Sequence, residues 1–379
     1  MSHAGSTVTI SLPVIITAAV IVGLAILGFA GWLVYRELCK RIIDRLEYRR
    51  TFSEDGVYEG DSVTMTERIY NPTRLPLFRA YAESYFFPQL DLGAPKGKDK
   101  SAMQRFESRF SFILPYMEIK RKHTVTCTKR GVYKLETAVI HLPGTMRTVE
   151  SKSTLYVYPK ILATPTSPNP VGMLMGESIT KRMLIKDPFS ITGVRPYTFG
   201  DPFNQINFKQ TAKAYAQAAQ PLRVNALDYC SNRTFMIFIN FATNPLDPIP
   251  SAEFNTMMEN SMSYTADIIR IMSDNGYRLG LYTNSTQNDS SEGLAFPMRS
   301  GEIHARDMLR GMSQVRIAAS YSFTTLLARV IESGLGDTEI FVFSAYTDAE
   351  IEAHLEALKR NRNSVNLIVP LGRGDKDAK

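Results

Sequence analysis

The sequence predicts a multi-domain protein with an N-terminal transmembrane helix, an all-β immunoglobulin-like sandwich and a C-terminal α/β domain. Three observations lead to this prediction. An uncharged apolar segment lies near the N-terminus, alternating apolar and polar residues follow it, and longer apolar runs separated by helical segments occupy the last third. At 379 residues the chain is long enough for about two folded domains besides the membrane segment.

The apolar segment covers residues 10–35 and contains no charged side chain and no histidine. As a helix it would extend about 39 Å, at about 1.5 Å per residue, and a hydrocarbon core is about 30 Å thick. Trp32 and Tyr35 lie at its end, where interfacial aromatic residues are favoured. We therefore predict a transmembrane helix over residues 10–35 after a short extracytoplasmic tail, residues 1–9. A cleaved signal peptide is the alternative, but those nine residues contain no Lys or Arg.

Basic residues follow the apolar segment directly, and none precedes it: Arg36, Lys40, Arg41, Arg45, Arg49 and Arg50. The positive-inside rule then predicts a single-pass protein of the cell membrane, with the N-terminus outside and the bulk of the chain in the cytoplasm. Residues 36–50 also contain spaced apolar residues, which predicts a basic juxtamembrane helix whose cations meet anionic headgroups of the bilayer.

Composition excludes several classes of protein. The net charge is +7, but the basic residues are spread along the chain and partly collected beside the membrane segment, so no nucleic-acid partner is predicted. The three cysteines, Cys39, Cys127 and Cys230, show neither a disulfide framework nor metal-ligand spacing. No Walker motif, GxGxxG or nucleophile elbow is present. The sequence therefore predicts no catalytic residue, no cofactor and no identifiable small-molecule substrate.

The pattern of residues 51–160 predicts a β-sandwich module. Val63, Met65 and Ile69 alternate with polar residues before the turn at residues 71–73. Further strand-like stretches are 79–87, 105–114, 119–128, 132–140 and 154–158. Six or seven short strands at this spacing are typical of a small antiparallel sandwich of the immunoglobulin type.

The pattern of residues 231–371 predicts an α/β domain. It follows a predicted linker, residues 161–230, and precedes a predicted polar tail, residues 372–379. The apolar run 234–240 is typical of a strand buried on both faces. Alternating elements follow it, and their predicted bounds are helix 252–273, strand 277–283, a polar loop, helix 303–333, strand 339–343, helix 348–360 and strand 364–369. This alternation predicts a largely parallel sheet, whose ligand sites lie at the carboxyl ends of the strands.

The linker contains a dense signature, GVRPYTFGDPFNQINFKQTAK, over residues 193–213. Together with the basic-flanked anchor, the β module and the final α/β domain, it resembles the bacterial family called domain of unknown function 58. The resemblance covers nearly the whole chain and is most specific at Gly193, Arg195, Tyr197, Gly200, Asp201, Ile206 and Ala212. It implies a last domain similar to the von Willebrand factor type A fold and an association with MoxR-type AAA+ ATPases.

The chain departs from the family pattern at Asn204, Phe208 and Lys213, where the family usually has Arg, Trp and Arg. Within the signature, Gly200 and Asp201 suit a turn, Tyr197 and Phe208 are expected to pack across it, and Arg195 is placed to reach Asp201. One interpretation is a buried structural clasp that fixes the linker onto the α/β module. The other is a docking surface for a protein partner.

The resemblance to type A domains raises the question of a metal ion. Those domains that bind Mg²⁺ have an Asp-x-Ser-x-Ser loop after the first strand, and this chain has Asn240, Ala242 and Asn244 there. At the end of a later strand lie Ser344 and, four residues on, Asp348. A hard cation needs several oxygen ligands with at least one carboxylate. We therefore predict a degenerate ion loop and no functional metal.

These observations predict a membrane-anchored, non-enzymatic interaction or scaffold protein, with the lipid bilayer and a protein such as an AAA+ ATPase as partners in an envelope-related assembly. Two alternatives stay open: a metal-dependent type A domain that binds a ligand, and an accessory component of an envelope biosynthetic system.

Overall fold

The computed structural model describes residues 12–93, 103–162, 185–199, 201–216, 222–230, 234–244, 246, 249–287 and 290–370. The predicted tails, residues 1–9 and 372–379, and Gly200 of the signature lie outside this set. The chain divides into two compact units, Met1–Tyr158 and Pro159–Lys379.

The first unit begins with helix α1, Leu12–Ile42, followed by a short 3-10 turn at Ile43–Arg45. Among the described residues this is the one helix long and apolar enough to cross a membrane, a property that signal sequences share. Its apolar side chains from Ile16 onwards are exposed along most of the segment. The apolar character of the sequence is therefore not explained by packing inside the protein.

The prediction of a juxtamembrane helix over residues 36–50 is wrong in its second half. The helix ends at Ile42, and Glu47–Phe52 form strand β1. Tyr48 and Arg50 point inwards and are buried, while Arg49 between them is exposed. Arg50 donates through Nη2 to the carbonyl of Thr137 at 2.8 Å, so its charge lies inside the protein and not at headgroups. The alternation of buried and exposed residues in β1 was not recognisable in the sequence, because the strand has only six residues and two of them are adjacent arginines.

The end of α1 is part of the core of the first unit. Cys39 is fully buried, and Ile42, Ile43 and Leu46 are nearly so. All four belong to one apolar cluster with Leu77 and other strand residues. S-acylation of Cys39, a thiol beside the predicted membrane segment, would require this side chain to leave the core.

Two sheets form the β module, and their orders are β1-β3-β7-β5 and β2-β9-β8-β4-β6. Neighbouring strands are antiparallel apart from the β2–β9 pair. The strands after β1 are β2 Gly56–Tyr58, β3 Ser62–Tyr70, β4 Leu77–Phe86, β5 Leu90–Asp91, β6 Gln104–Ile113, β7 Glu118–Cys127, β8 Gly131–Leu142 and β9 Thr145–Tyr158. The sequence predicted β3, β4, β6, β7 and β8 closely, but it missed the polar first half of β9.

Side chains from both sheets meet in two apolar clusters, so the module is a sandwich. Glu67 is fully buried and points inwards between Met65, of one cluster, and Ile69, of the other. Its carboxylate accepts a hydrogen bond from Tyr48 Oη at 2.6 Å and lies 3.0 Å from His123 Nε2. Tyr48 and the partly exposed His123 thus provide polar partners for the buried Glu67 carboxyl group.

The described part of the second unit includes two antiparallel strands, β10 Ile185–Pro196 and β11 Arg223–Cys230. Helix α2, Phe208–Ala216, lies between them in the chain. The region predicted as a linker, 161–230, therefore contains regular structure of its own.

The rest of the second unit is an α/β domain. Its elements are β12 Thr234–Asn240, α3 Ser251–Asp274, β13 Arg278–Gln287, β14 Ser290–Arg299, α4 Glu302–Gln314, β15 Val315–Ala319, α5 Phe323–Glu332, β16 Glu339–Ser344, α6 Ala349–Arg360 and β17 Ser364–Ile368. The sheet order is β14-β13-β12-β16-β17, with β15 pairing to β13. Strands β12, β13, β16 and β17 are mutually parallel, and β14 is antiparallel to β13.

Helices cover both faces of this sheet. Met236 and Phe238 of β12 pack with residues of α5 and α6 in one cluster. On the opposite face, the Phe343 ring of β16 stacks on Tyr264 of α3 with centroids 6.4 Å apart. Burial on both faces explains why β12 and β16 read as continuous apolar runs.

Two predictions in this domain are wrong. The single helix predicted for 303–333 is α4, the short strand β15 and α5. The polar loop predicted at 284–293 contains the end of β13 and the first four residues of β14. Strand β14 begins with Ser290, Ser291 and Glu292, whose polarity concealed an edge strand. Edge strands tolerate such residues because one of their sides faces no other strand.

Candidate functional site: a closed amide network and an exposed aromatic segment

The α/β sheet has the strand order 3-2-1-4-5 when its five path strands are numbered along the chain. The order reverses between β12 and β16, and ligands of such folds bind at the carboxyl ends of the strands beside this point. Asn240 ends β12 and lies opposite Ser344, which ends β16. The structure therefore brings these two predicted positions together at the expected place.

Three fully buried polar side chains form a network there: Asn240, Asn284 of β13, and Ser344. Asn240 Nδ2 donates to Ser344 Oγ at 3.0 Å, and Asn284 Nδ2 donates to Asn240 Oδ1 at 2.9 Å. Ser344 Oγ in turn donates to the carbonyl of Tyr346 at 2.6 Å. The Asn240 amide thus joins the ends of β12 and β16 to the neighbouring strand β13.

Backbone N–H groups of the loop after β12 complete the network. Ala242 N donates to Asn240 Oδ1 at 3.0 Å, and Phe241 N donates to Asn284 Oδ1 at 2.7 Å. The Asn240 oxygen therefore already accepts two hydrogen bonds. A cation at this point would have to displace them, and it would meet neutral ligands only.

The other ion-loop positions have local structural roles. Asn244 Oδ1 accepts from Leu246 N at 2.9 Å, which closes a turn. Asp348 caps helix α6, since its Oδ1 accepts from Ile351 N at 2.7 Å. Within the described ranges no group of three or more His, Cys, Asp or Glu side chains is placed to hold a metal ion.

The signature segment centres on an ion pair. Arg195, near the end of β10, donates from Nη1 to Asp201 Oδ2 at 2.7 Å and from Nη2 to Asp201 Oδ1 at 2.5 Å. Thr198 adds backbone and hydroxyl donors to Oδ2, each at 2.9 Å. The Arg195 guanidinium and these donors hold the pKa of the Asp201 carboxyl well below its usual range. Because the ion pair is bidentate, it fixes the orientation of the two side chains as well as their distance, and so it constrains the turn between them.

Hydrogen bonds join the signature to β11. Tyr197 N donates to the Leu222 carbonyl at 2.9 Å, just before the strand. Asn207 Nδ2 donates to Asn225 Oδ1 at 2.8 Å, and Thr211 Oγ1 accepts from Arg223 N at 3.0 Å. These contacts hold the segment on its own two-stranded sheet, whereas the clasp interpretation placed it on the α/β module.

The clasp interpretation also expects a buried segment, and the observed burial is mixed: the Asp201 side chain is 10% exposed, but others are open to solvent. The Arg195 side chain is 37% exposed, and Phe208, expected to pack on Tyr197, is 75% exposed. The ring that stacks on Tyr197 is Phe203, with centroids 6.3 Å apart. Phe208 begins helix α2 instead, and Lys213 lies exposed in its last turn.

Four aromatic side chains of the signature and of the following end of α2 are more than half exposed: Phe199, Phe203, Phe208 and Tyr215. We call them the aromatic surface. Aromatic residues are enriched among the residues that dominate binding energy at protein interfaces. The sequence showed the density of aromatic residues but not their exposure, because aromatic residues are equally typical of cores. For Asn284, the sequence indicated only that it follows a predicted strand, and not that its side chain joins the amide network.

Comparisons with known proteins identify no family. No family model matches the sequence, and no curated protein matches it. Solved structures match short parts of the chain. The PapD-like domain 7 of human CEP192 is 16% identical with a TM-score of 0.20, covering 30% of this chain and 84% of that one. A CARDB domain from Pyrococcus furiosus in complex with di-metal ions is 12% identical with a TM-score of 0.20, covering 30% and 91%. A cohesin module of a family 33 glycoside hydrolase from Clostridium perfringens is 14% identical with a TM-score of 0.22, covering 29% and 96%.

Proposed function

We propose that this protein is a membrane-anchored, non-enzymatic interaction protein that docks a protein partner on its aromatic surface. The observation that carries the proposal is the exposure of Phe199, Phe203, Phe208 and Tyr215, in and just after the signature that contains the Arg195–Asp201 pair. Aromatic side chains supply much binding energy at protein interfaces and lose little conformational entropy on binding. The signature that carries the resemblance to domain of unknown function 58 is the same segment, so a MoxR-type AAA+ ATPase is the proposed partner.

The anchor is part of this proposal. Helix α1 runs without a break from the apolar segment into the core of the sandwich, where Cys39 and Ile42 are buried. This continuity favours a retained span over a cleaved signal peptide. The basic residues that follow the span favour a cytoplasmic location for the sandwich and the α/β domain.

The α/β domain is proposed to be of the von Willebrand factor A type. Its parallel strands with helices on both faces and one antiparallel neighbour of β13 are consistent with this. The amide network at Asn240 and Ser344 takes the place of an ion site and closes the sheet edge with neutral hydrogen bonds. It supports a structural role for this domain over the metal-dependent alternative.

The proposal is tested by photo-crosslinking in native membranes. A photoreactive phenylalanine replaces Phe199 or Phe208, and, as a matched control, Ile303 of α4, which is 76% exposed. We expect partner adducts from the first two positions and none above background from the third. Adducts of an AAA+ ATPase support the full proposal, and equal background at all three positions contradicts docking on the aromatic surface.

The role of the ion pair is tested with Arg195→Ala in the same assay. Because the described contacts of the pair fix the turn that carries Phe199, we expect the variant to remain folded and to lose partner adducts. Loss of folding would instead show that the pair is a structural clasp. Circular dichroism and expression level separate these results.

A further inference from the structure

One end of the sandwich carries most of its exposed large apolar side chains. Of the eight that lie in the described part of residues 47–158, six are at the end where α1 enters; they are Phe78, Phe112, Leu114, Tyr116, Met117 and Met146. The other two, Tyr85 and Met103, lie elsewhere. We call these six residues the membrane-proximal surface.

The strand order brings the six together. Phe78, near the start of β4, pairs with Phe112, near the end of β6. Leu114, Tyr116 and Met117 form the turn that leads into β7. Met146 follows the turn between β8 and β9, and His141, next to the end of β8, pairs with Tyr81, four residues after the start of β4. These segments therefore share one end of the sandwich.

Contacts with α1 place this end beside the end of the apolar span. The Phe78 N–H donates to the hydroxyl of Tyr35 at 2.7 Å, and the two rings lie 5.7 Å apart. Phe78 in turn packs on Phe112 with centroids 4.9 Å apart. Tyr35 is the last residue of the uncharged segment, so Phe78 and Phe112 lie at the depth where interfacial aromatic residues are stable.

Further contacts keep the helix and the sandwich in this arrangement. The Arg36 side chain packs directly on Gly144, which has a φ of 76° in the turn between β8 and β9. Arg147 Nη1 donates to the Asp44 carbonyl at 2.6 Å and to the Ile43 carbonyl at 3.2 Å. A span held at several points cannot swing freely relative to the sandwich. The sandwich end must therefore stay close to whatever surrounds the end of the span.

The backbone and the charges suit a lipid surface. Tyr116 adopts a φ of 55°, a conformation that is strained for a bulky residue, and its ring is 58% exposed. Arg41, Arg74 and Arg79 are exposed at the same end. The carboxylates there have basic neighbours, as in the pairs Glu37–Lys40 and Glu118–Arg68. Cations with exposed aromatic and aliphatic groups are the combination that binds anionic bilayers.

We infer that the membrane-proximal surface lies in the headgroup region of an anionic lipid bilayer and holds the sandwich in a fixed orientation on the membrane. This inference rests on the proposed membrane anchor. It goes beyond that proposal because it assigns a second, peripheral membrane contact to the folded domain.

The test uses tryptophan fluorescence of the full-length chain in phosphatidylglycerol-containing vesicles with brominated acyl chains. The chain has one tryptophan, Trp32, so a Trp32→Phe chain is a silent background. In this background Phe112→Trp reports on the surface. Tyr85→Trp is the matched control, since Tyr85 is 51% exposed and lies towards the other end of β4.

We expect brominated lipid to reduce the emission of Trp32 in the unmodified chain and of the Phe112→Trp chain, and to leave the Tyr85→Trp chain unchanged. If brominated lipid quenches Trp32 but not the new tryptophan of the Phe112→Trp chain, the inference is overturned and the anchor proposal stands. If the emission of that new tryptophan is blue-shifted but unquenched, the membrane-proximal surface is a protein contact and not a lipid contact. Absence of quenching at Trp32 overturns the anchor as well. Tyr116→Trp repeats the test if Phe112→Trp does not fold by circular dichroism.

Discussion

Asn240 shows how one neutral side chain shapes the carboxyl edge of the α/β sheet. Its amide is fully buried and hydrogen-bonds to Ser344, Asn284 and the backbone of Ala242. An aspartate would lose the donor to Ser344 and bring a charge into a site without a cation. The neutral amide is therefore matched to the hydrogen-bond donors and acceptors that surround it.

Asn240→Asp is accordingly expected to lower the free energy of unfolding by about 1–3 kcal/mol, the usual penalty for an unsatisfied buried polar group. Burial would raise the pKa of the new carboxyl, so the loss should grow as the pH rises through that pKa. Urea unfolding at acidic and neutral pH measures both effects.

Asn244→Asp is the control for that experiment, because an aspartate can still accept from Leu246 N and close the same turn. It should change stability little. If Mg²⁺ restored the stability of the Asn240→Asp chain, the network would be a disabled ion site and the metal-dependent alternative would gain support.

Cys127 gives a second prediction at the residue scale. It is fully buried in the sandwich, and burial raises the pKa of its thiol from 9.0 to about 11. In the unfolded chain the thiol ionises first, so its contribution to stability is present below pH 9.0 and is lost as the pH rises towards about 11. The stability difference between wild type and Cys127→Ala, measured by urea unfolding, should narrow across this window. A difference independent of pH would contradict the assigned shift.

At the scale of single elements, a glycine determines how closely β14 lies to its neighbours. A Cβ at Gly293 would collide with the Thr283 carbonyl of β13 and with the Tyr321 hydroxyl. Tyr321 also donates to that carbonyl at 2.9 Å. Strand β14 therefore depends on a close backbone contact, although its polar first residues concealed it in the sequence.

Gly293→Ala is expected to destabilise the protein by about 1–3 kcal/mol through overpacking. Gly193→Ala, in the signature, is the comparison, because nothing lies within 4 Å of a Cβ there. It should cost at most about 0.5 kcal/mol, as is usual for open sites. Thermal unfolding followed by circular dichroism compares the stabilities of the two variants. Equal losses of stability in both would show that β14 does not contact β13 as described.

At the scale of the whole molecule, the folded sandwich begins earlier than the sequence suggested. A fragment starting at residue 51 omits most of β1 and the buried Cys39, Ile42, Ile43 and Leu46. Each buried apolar side chain of this size contributes about 1.5–3 kcal/mol, and whole domains are stable by only about 5–15 kcal/mol.

A fragment of residues 51–379 is therefore expected to lose the cooperative unfolding of the sandwich, whereas 34–379, in mild detergent, should keep it. Scanning calorimetry and size-exclusion chromatography compare the two. Identical sandwich transitions in both fragments would show that the end of α1 is not part of the core.

Much of this architecture was predictable because it depends on local patterns. The uncharged run over 10–35 is recognised by its length and composition alone. The period of two in β3 and the continuous apolar runs of β12 and β16 follow from which faces of each strand are buried. The meeting of Asn240 and Ser344 was predictable too, since parallel strands end at one edge.

Other features were decided by contacts between distant residues, which leave no local period. Arg49 and Arg50 are adjacent in the chain, yet only the sandwich decides that Arg50 is buried and Arg49 exposed. The partner of Tyr197 is Phe203 and not Phe208 because β10, β11 and α2 fix the turn between them. The sequence by itself determined the order of the apolar helix, the β module and the α/β module, but not every strand within them. The tertiary structure decided which aromatic and charged groups face water, since exposure depends on what the rest of the chain covers.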